Sequence, residues 1–284
     1  MEIINRRQRM FSIARKLRRD NKTVGFVPTM GALHEGHLAL VREARTRCDA
    51  VVVSIFVNPA QFNDKKDLEK YPRDLTADAA MLADIGVDYL FAPDESEIYP
   101  EGFATYVDVE GITETLEGAS RPGHFRGVAT VVTIFFNTVR PELAFFGQKD
   151  AQQVAVVKRL TRDLGFEMEI VVVPTVREES GLAMSSRNAL LSEDERRRAA
   201  VIYRALREAK TSFKRGERNA ATLTELIRQV LAEDEIVRID YIAIVDAETL
   251  RPVQKIGEKE TLIAVAAFVG EVRLIDNVVL NRGQ

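Results

Sequence analysis

The chain has 284 residues, 46% of them hydrophobic and 29% charged, with 40 Lys and Arg against 43 Asp and Glu. That balance excludes disordered and collagen-like chains, and a net charge of −3 lacks the basic surplus of a nucleic-acid binder. The one cysteine, Cys48, excludes an internal disulfide and any zinc site needing two thiolates, and it suits a reducing cytoplasm. The length corresponds to one or two domains. The longest near-apolar run, Leu262 to Gly270, is far short of the roughly 20 residues a membrane span needs. The basic N-terminus has no uninterrupted apolar core and no small-residue cleavage site, so no secretory signal is expected.

Ile4, Phe11, Ile13 and Leu17 predict a short amphipathic N-terminal helix. Thr23–Val27 reads as a strand running into Pro28. Residues 35–47 place Leu38, Val41 and Ala44 on one helical face, with Leu40 and Arg45 beside or opposite it. The apolar run Ala50–Phe56 predicts a strand buried on both faces. Asp74 is a candidate N-cap for a helix carrying Ala77, Met81, Leu82 and Ile85, which Gly86 ends. Val87–Phe91 is a further strand; Gly127–Val139 can be read as helix or strand, and is taken as a helix with 3.6-residue spacing because a strand follows after Pro141. Then come strand Leu143–Phe146, helix Asp150–Leu164 and strand Glu169–Val173. Beyond about residue 175 the texture changes. Ser192 and Glu195 form a capping box for a helix to about Ala209, and a second helix covers Ala221–Ala232. Three strand-like runs follow, at Arg238–Val245, Thr261–Phe268 and Val272–Leu280.

Repeated strand–helix–strand order predicts an α/β fold with a parallel sheet covered on both sides. Helices followed by consecutive strands predict a smaller α+β domain with an antiparallel sheet. Ligands of parallel sheets bind beyond the C-terminal strand ends, which selects the loops 28–34, 57–66, 147–150 and 174–187.

The chain has three histidines, and two of them, His34 and His37, lie in PTMGALHEGH at the first strand-to-helix crossing. A spacing of three puts both rings on one face at a helix start, where unpaired N–H groups and the dipole favour an anion. Gly31 and Gly36 permit close backbone approach, so phosphate is the natural occupant. A zinc-protease His-Glu-x-x-His needs histidines four apart, and a P-loop needs Lys and Ser or Thr where His37 and Leu38 stand. In SIFVNPAQF a strand end delivers two uncharged amides, Asn58 and Gln61, that can bind a hydroxyl or carboxylate without adding charge. In FGQKDAQQ, Gly147 turns the chain, Lys149 is a mobile cation suited to phosphate, and Gln153 follows one helical turn later. In MSSR, Ser185, Ser186 and Arg187 form a candidate second phosphate clamp. Each cluster alone also fits a bland reading: loop histidines, an Asn-Pro turn, capping by Asp150, a polar linker. Together, at successive strand ends, they point to one site.

The blocks PTMGALHEGH, SIFVNPAQF, LEGASRPGHFRGV, FFGQKDAQQ and MSSRN resemble those of the pantothenate synthetase (pantoate–β-alanine ligase) family, in order and spacing, over essentially the full length. PTMGALHEGH is similar to the His-x-Gly-His motif of nucleotidyltransferases and class I aminoacyl-tRNA synthetases. MSSR stands where those enzymes carry a KMSKS-type loop. The resemblance implies a Rossmann-like ATP- and pantoate-binding domain over 1–175 and a smaller C-terminal domain over 176–284 that covers the site. It implies ATP-dependent condensation of pantoate with β-alanine through a pantoyl adenylate, releasing AMP and pyrophosphate. It also implies Mg2+ accompanying ATP, a homodimer, cytoplasmic location and no nucleic-acid or membrane partner. Met30, Gly31, Ala32, Leu33, His34, Glu35, Gly36 and His37 would form the ATP loop. Gly147, Gln148, Lys149, Asp150, Val176, Met184, Ser185, Ser186 and Arg187 would also contact ATP. Gln61 and Gln153 would hold pantoate, with Gln61 near β-alanine, and His37, His34 and Lys149 would act in catalysis. No role is assigned to His124, and no side chain is assigned to a metal.

Three other readings fit parts of the pattern: a nucleotidyltransferase acting on a phosphate ester, a tRNA-interacting or inactive relative, and a zinc hydrolase. The Asn58/Gln61/Gln153 amides suit a small hydroxy acid better than a dianionic phosphate. The net charge argues against tRNA, and only His124 could join the histidine pair as a zinc ligand.

Overall fold

The chain opens on a strand, not on the helix that the spacing of Ile4 predicts. In the computed structural model, which describes residues 1–281 with the side chain of Lys65 excepted, Glu2–Ile4 (β1) pairs in parallel with Tyr89–Phe91. Three residues are too few to show a two-residue period, and Ile4 is buried as a strand residue. The amphipathic pattern begins after it. Arg7–Arg19 (α1) buries Met10, Ile13, Ala14 and Leu17, one per turn or adjacent to it.

Val24–Thr29 (β2) is buried along nearly its whole length, as a central parallel strand must be. Pro28 continues it past the last pair with its neighbour Leu143–Gly147, where a missing N–H costs least. Glu35–Arg47 (α2) has the predicted bounds but buries Leu40, Val41 and Ala44, while Leu38 is half-buried. Ala50–Ile55 (β3) leads into a single 3-10 turn, Pro59–Gln61. Two helices follow, Lys65–Lys70 (α3) and Leu75–Asp84 (α4), the latter capped by the Asp74 carboxylate on Ala77 N as predicted. Tyr89–Phe91 (β4), Glu95–Ile98 (α5) and Glu117–Ser120 (α6) precede His124–Val139 (α7), which starts three residues before the predicted bound. Leu143–Gly147 (β5), Ala151–Asp163 (α8) and Glu169–Val173 (β6) complete this part.

The six strands form one parallel sheet in the order β1-β4-β3-β2-β5-β6. Strand order reverses beside β2, so the loop after β2 and the end of β5 flank the switch point where α/β sheets bind ligands. Helix α7 is packed by edge-to-face aromatic contacts: the Phe135 ring lies 5.9 Å from Phe26, 6.1 Å from Phe56 and 5.8 Å from Phe91.

The remaining elements are Glu193–Arg198 (α9), Val201–Lys214 (α10), Ala220–Ala232 (α11), Val237–Asp246 (β7), Thr261–Val269 (β8) and Val272–Leu280 (β9). The Ser192–Glu195 capping box is formed, but the helix it opens breaks at Ala199–Ala200, where bonds shift to i→i+3 spacing, before α10 resumes. The three strands make an antiparallel sheet, β7-β8-β9. Ile263, Val265, Ala267 and Val269 share a buried core with Ile202, Leu206, Leu223 and Ile227 of α10 and α11. The chain divides into two compact units: Met1–Gly147 with Val156–Pro174, and Gln148–Ala155 with Thr175 onward. The last three residues of the 176–284 domain expected from the sequence lie outside the described residues. Among the described residues no helix is long and apolar enough to cross a membrane.

Cys48 ends α2 beside Gly25 of β2, where a Cβ on Gly25 would stand 2.8 Å from its Sγ. Burial pushes the Cys48 thiol up from 9.0 to about 11. At pH 8 the thiolate is therefore about 100-fold scarcer than in the unfolded chain, and the thiolate is the reactive form. Iodoacetamide labelling followed by mass spectrometry should be slow on the native protein at pH 8 and fast in urea; equal rates would contradict a shielded thiol.

Candidate active site

The loop from β2 to α2 is held by its own side chains. Gly31 and Ala32 both take positive φ, +82° and +50°. For Ala32 that conformation is strained, and it persists because the neighbouring backbone is tied down. The tie is Asp78 of α4, 3% exposed, whose Oδ2 accepts from Ala32 N at 3.0 Å and Oδ1 from Leu33 N at 2.9 Å. Gly31 is required as well: a Cβ there would lie 2.9 Å from Asp78 Oδ2. Thr29 Oγ1 donates to Ser54 O at 2.8 Å and accepts from Gly31 N, fixing the start of the loop to β3.

The two histidines cap α2 reciprocally. His34, with extended backbone, is the N-cap; its Nδ1 accepts from Gly36 N at 3.1 Å, and His37 Nδ1 accepts from His34 N at 3.3 Å. The imidazole rings lie 4.1 Å apart. This is a capping box built from two imidazoles in place of Ser and Glu. An Nδ1 that accepts cannot carry a proton, so each neutral ring is the Nε2–H tautomer. The arrangement satisfies one backbone donor of the N-cap residue and one of the first helical turn, and gives each histidine an Nε2–H donor at the positive end of the α2 dipole.

The second cluster is organised around Asn58, which is 1% exposed. Its Oδ1 accepts from Ala60 N at 3.3 Å and from the Tyr99 hydroxyl at 2.7 Å. Its Nδ2 donates to Gln61 Oε1 and to Gly127 O, both at 3.1 Å. Asn58 is thus spent on protein contacts and sets the amide of Gln61, whose Nε2 donates to Met30 Sδ at 2.9 Å. Burial pushes the Tyr99 phenol well above its usual range, so it stays a donor to Asn58. The Gln61 backbone carbonyl accepts from His124 Nδ1 at 2.8 Å and from Arg121 at 3.4 Å. His124, to which the sequence assigns no role, is a buried brace for Gln61. Gly127 makes the close approach possible: a Cβ there would stand 2.3 Å from Ala60 O.

In the second unit, Lys149 sits in a 3-10 turn, Gln148–Asp150, ahead of α8, with Nζ 3.7 Å from Asp150 Oδ1. Gly147 ends β5 paired with Val173; its φ is not left-handed and a Cβ would meet nothing within 4 Å. Its expected role as the turn residue is therefore not what its backbone requires. The segment 176–187 is a folded hairpin-like loop in which Met184 N donates to Val176 O at 2.9 Å and Glu178 N to Leu182 O at 2.9 Å. Ser185 Oγ caps the short turn Ser186–Leu190 by accepting from Arg187 N. Arg187 is exposed and donates to Arg273 O at 3.2 Å. Gln153 is half-buried in the first turn of α8. Among the described residues no group of three His, Cys, Asp or Glu side chains could hold a metal ion.

A parallel sheet that presents a histidine-capped helix N-terminus beyond its central strand defines an α/β protein of the nucleotide-binding class. Comparison with known proteins narrows this. The family model described as "Pantoate-beta-alanine ligase" matches residues 2–279. A pantothenate synthetase of Heliobacterium modesticaldum is 52% identical over 280 residues, 99% of each chain. The crystal structure of pantothenate synthetase from Thermus thermophilus superposes with a TM-score of 0.90 at 48% identity, covering 98% of this chain and 99% of that one. A pantoate-beta-alanine ligase from Francisella tularensis, complexed with a β,γ-ATP compound and β-alanine, superposes with a TM-score of 0.80 at 38% identity, covering 98% and 97%. The chain belongs to the pantoate–β-alanine ligase family.

Asp78→Ala leaves the Ala32 and Leu33 N–H groups without their acceptor. It should cost ~1–3 kcal/mol in urea unfolding, the penalty for orphaned buried donors. It should also lower ATP-dependent turnover about tenfold or more, because a displaced loop misplaces the reacting groups. Gly127→Ala should destabilise by a similar ~1–3 kcal/mol, the usual cost of overpacking. Wild-type stability in either variant would show that the contact carries no weight.

Proposed function

We propose that this chain catalyses the ATP-dependent condensation of pantoate with β-alanine to give pantothenate, AMP and pyrophosphate. The observation that carries the reading is the family match over residues 2–279. In the proposed first step a pantoate carboxylate oxygen attacks the α-phosphorus of ATP. A P–O bond forms, the bond to pyrophosphate breaks, and pantoyl adenylate remains bound. The β-alanine amine then attacks the acyl carbon, loses a proton and expels AMP.

His34 and His37 supply Nε2–H donors to charge that builds on the phosphates as pyrophosphate leaves. The loop Met30–His37 receives ATP at the N-terminus of α2, and neutral imidazoles suit that role because protonated rings could not cap the helix. Gln148, Lys149, Asp150, Val176 and Met184–Arg187 make the other ATP contacts, with Lys149 and Arg187 as countercharges. Gln61 and Gln153 hold pantoate through uncharged amides. No protein nucleophile is required, and the raised thiol of Cys48 fits a structural residue. Among the described residues no cluster of three His, Cys, Asp or Glu side chains is placed to hold a metal ion, and Mg2+ is proposed to accompany ATP as its counter-ion, held by phosphate oxygens and water. The chain is further proposed to act in the cytoplasm as a homodimer, without nucleic-acid or membrane partners.

Pantoate-dependent exchange of labelled pyrophosphate into ATP, with β-alanine absent, isolates the first step. Wild type should exchange. His37→Ala should remain folded and lose about 100-fold in rate, the scale of one charge-stabilising donor. Lys149→Ala should lose a comparable factor and bind ATP more weakly. Pantoate-independent exchange would refute the assignment of the acid substrate.

A further inference from the structure

Strand β9 reaches three segments of the proposed ATP machinery. Arg273 O accepts from Arg187 at 3.2 Å. Asp276 and Asn277, each 4% exposed, follow on the same strand with side chains on opposite faces. The Asp276 carboxylate grips the Arg177 guanidinium through two bonds, 2.6 Å and 2.9 Å, and accepts from Asn277 N at 2.8 Å. Arg177 stacks 3.5 Å above the Tyr203 ring and donates to Gly181 O, so it closes the loop that begins at Val176. Asn277 does the equivalent for the lysine turn. Its Nδ2 donates to Gln148 O at 3.0 Å and to Lys149 O at 2.8 Å, while its Oδ1 accepts from Gln148 Nε2 at 2.9 Å.

Only an amide can donate twice and accept once from one short side chain. A carboxylate at 277 would face two carbonyl oxygens, and an apolar residue would leave both without their donor. Adjacent residues of one strand cannot move independently, so the Lys149 turn and the 176–187 loop are set in a single register.

We propose that Asp276 and Asn277 are positioning residues for ATP: through β9 they fix the lysine turn and the Val176–Arg187 loop relative to each other. The inference rests on the reading of Lys149 and Arg187 as phosphate contacts, and neither Asp276 nor Asn277 is expected to touch substrate.

The test uses the full chain with Asn277→Ala, Asn277→Ser and Asp276→Asn, each checked for cooperative melting. In pantoate-dependent pyrophosphate exchange, kcat/KM for ATP should fall about tenfold or more in Asn277→Ala, the scale of a small misplacement. The KM for pantoate should change by less than about twofold, since only the ATP contacts are displaced. Asn277→Ser, which keeps one donor, should lie between wild type and Asn277→Ala. A folded Asn277→Ala that exchanges like wild type, or a loss spread equally over ATP and pantoate, would overturn the proposal. If Asn277→Ala does not fold, Asn277→Ser and Asp276→Asn decide on the same criteria. Wild type that fails to exchange would count against the proposed reaction rather than this inference. Calorimetric titration with ATP would then decide: unchanged affinity in Asn277→Ala overturns the positioning role, and weaker binding supports it.

Discussion

The reciprocal cap at the start of α2 is the constraint on which the rest of the site depends. A helix N-terminus leaves several N–H groups without intrahelical partners. Here two of the backbone N–H groups around that end, those of His34 and Gly36, are taken by imidazole nitrogens. Ordinary capping boxes end in hydroxyls and carboxylates, which would satisfy the backbone and put negative charge where an anion should bind. Imidazoles cap with one nitrogen and donate with the other. The same two side chains therefore stabilise the helix and, in the role proposed for them, present Nε2–H donors to phosphate, with the tautomer set by the cap.

Everything nearby serves to keep that loop in its strained shape. Asp78 bonds the backbone of Ala32 and Leu33, and Gly31 is excluded from carrying a side chain by the same carboxylate. Met30 reaches Gln61, which is set in turn by Asn58 and braced through its carbonyl by His124 and Arg121. Buried polar networks of this kind are costly when half satisfied and rigid when complete. In the second unit the equivalent task falls to β9, which holds the lysine turn and the arginine loop by side-chain bonds. Both halves use one device, a buried polar side chain from a regular element gripping an adjacent loop.

The periodic elements are legible because burial is periodic: α2 and β6 have the bounds that their spacing predicts, and the parallel sheet follows from strand–helix alternation. What is not legible has a common cause. The three-residue strand β1 is too short to show a period, and its membership depends on a distant pairing that sets Glu2 against Tyr89 of β4. The break at Ala199–Ala200 leaves no Gly or Pro signal in the run ERRRAAVIY. The motif residues are visible because their spacing carries chemistry, but their supports are not. Asp78 looks like one more acid on a helix, His124 like a loop histidine, and Asn277 like a polar residue in an apolar strand. Their partners lie 45, 63 and 128 or more positions away, and only the fold brings them together. Asn58 shows the reverse case: a residue that reads as a candidate ligand contact is consumed in holding its neighbour.

Long-range nitrogen-15 NMR of the three histidine side chains tests the cap directly, because ring nitrogen shifts report which nitrogen carries the proton. His34 and His37 should both have an unprotonated Nδ1 and carry the ring proton on Nε2. His124, which donates from Nδ1 to the Gln61 carbonyl, should differ from them by carrying a proton on Nδ1. A proton on Nδ1 of His34 or His37 would mean that the imidazoles do not accept from the helix backbone, and the account of the site built on that cap would be wrong.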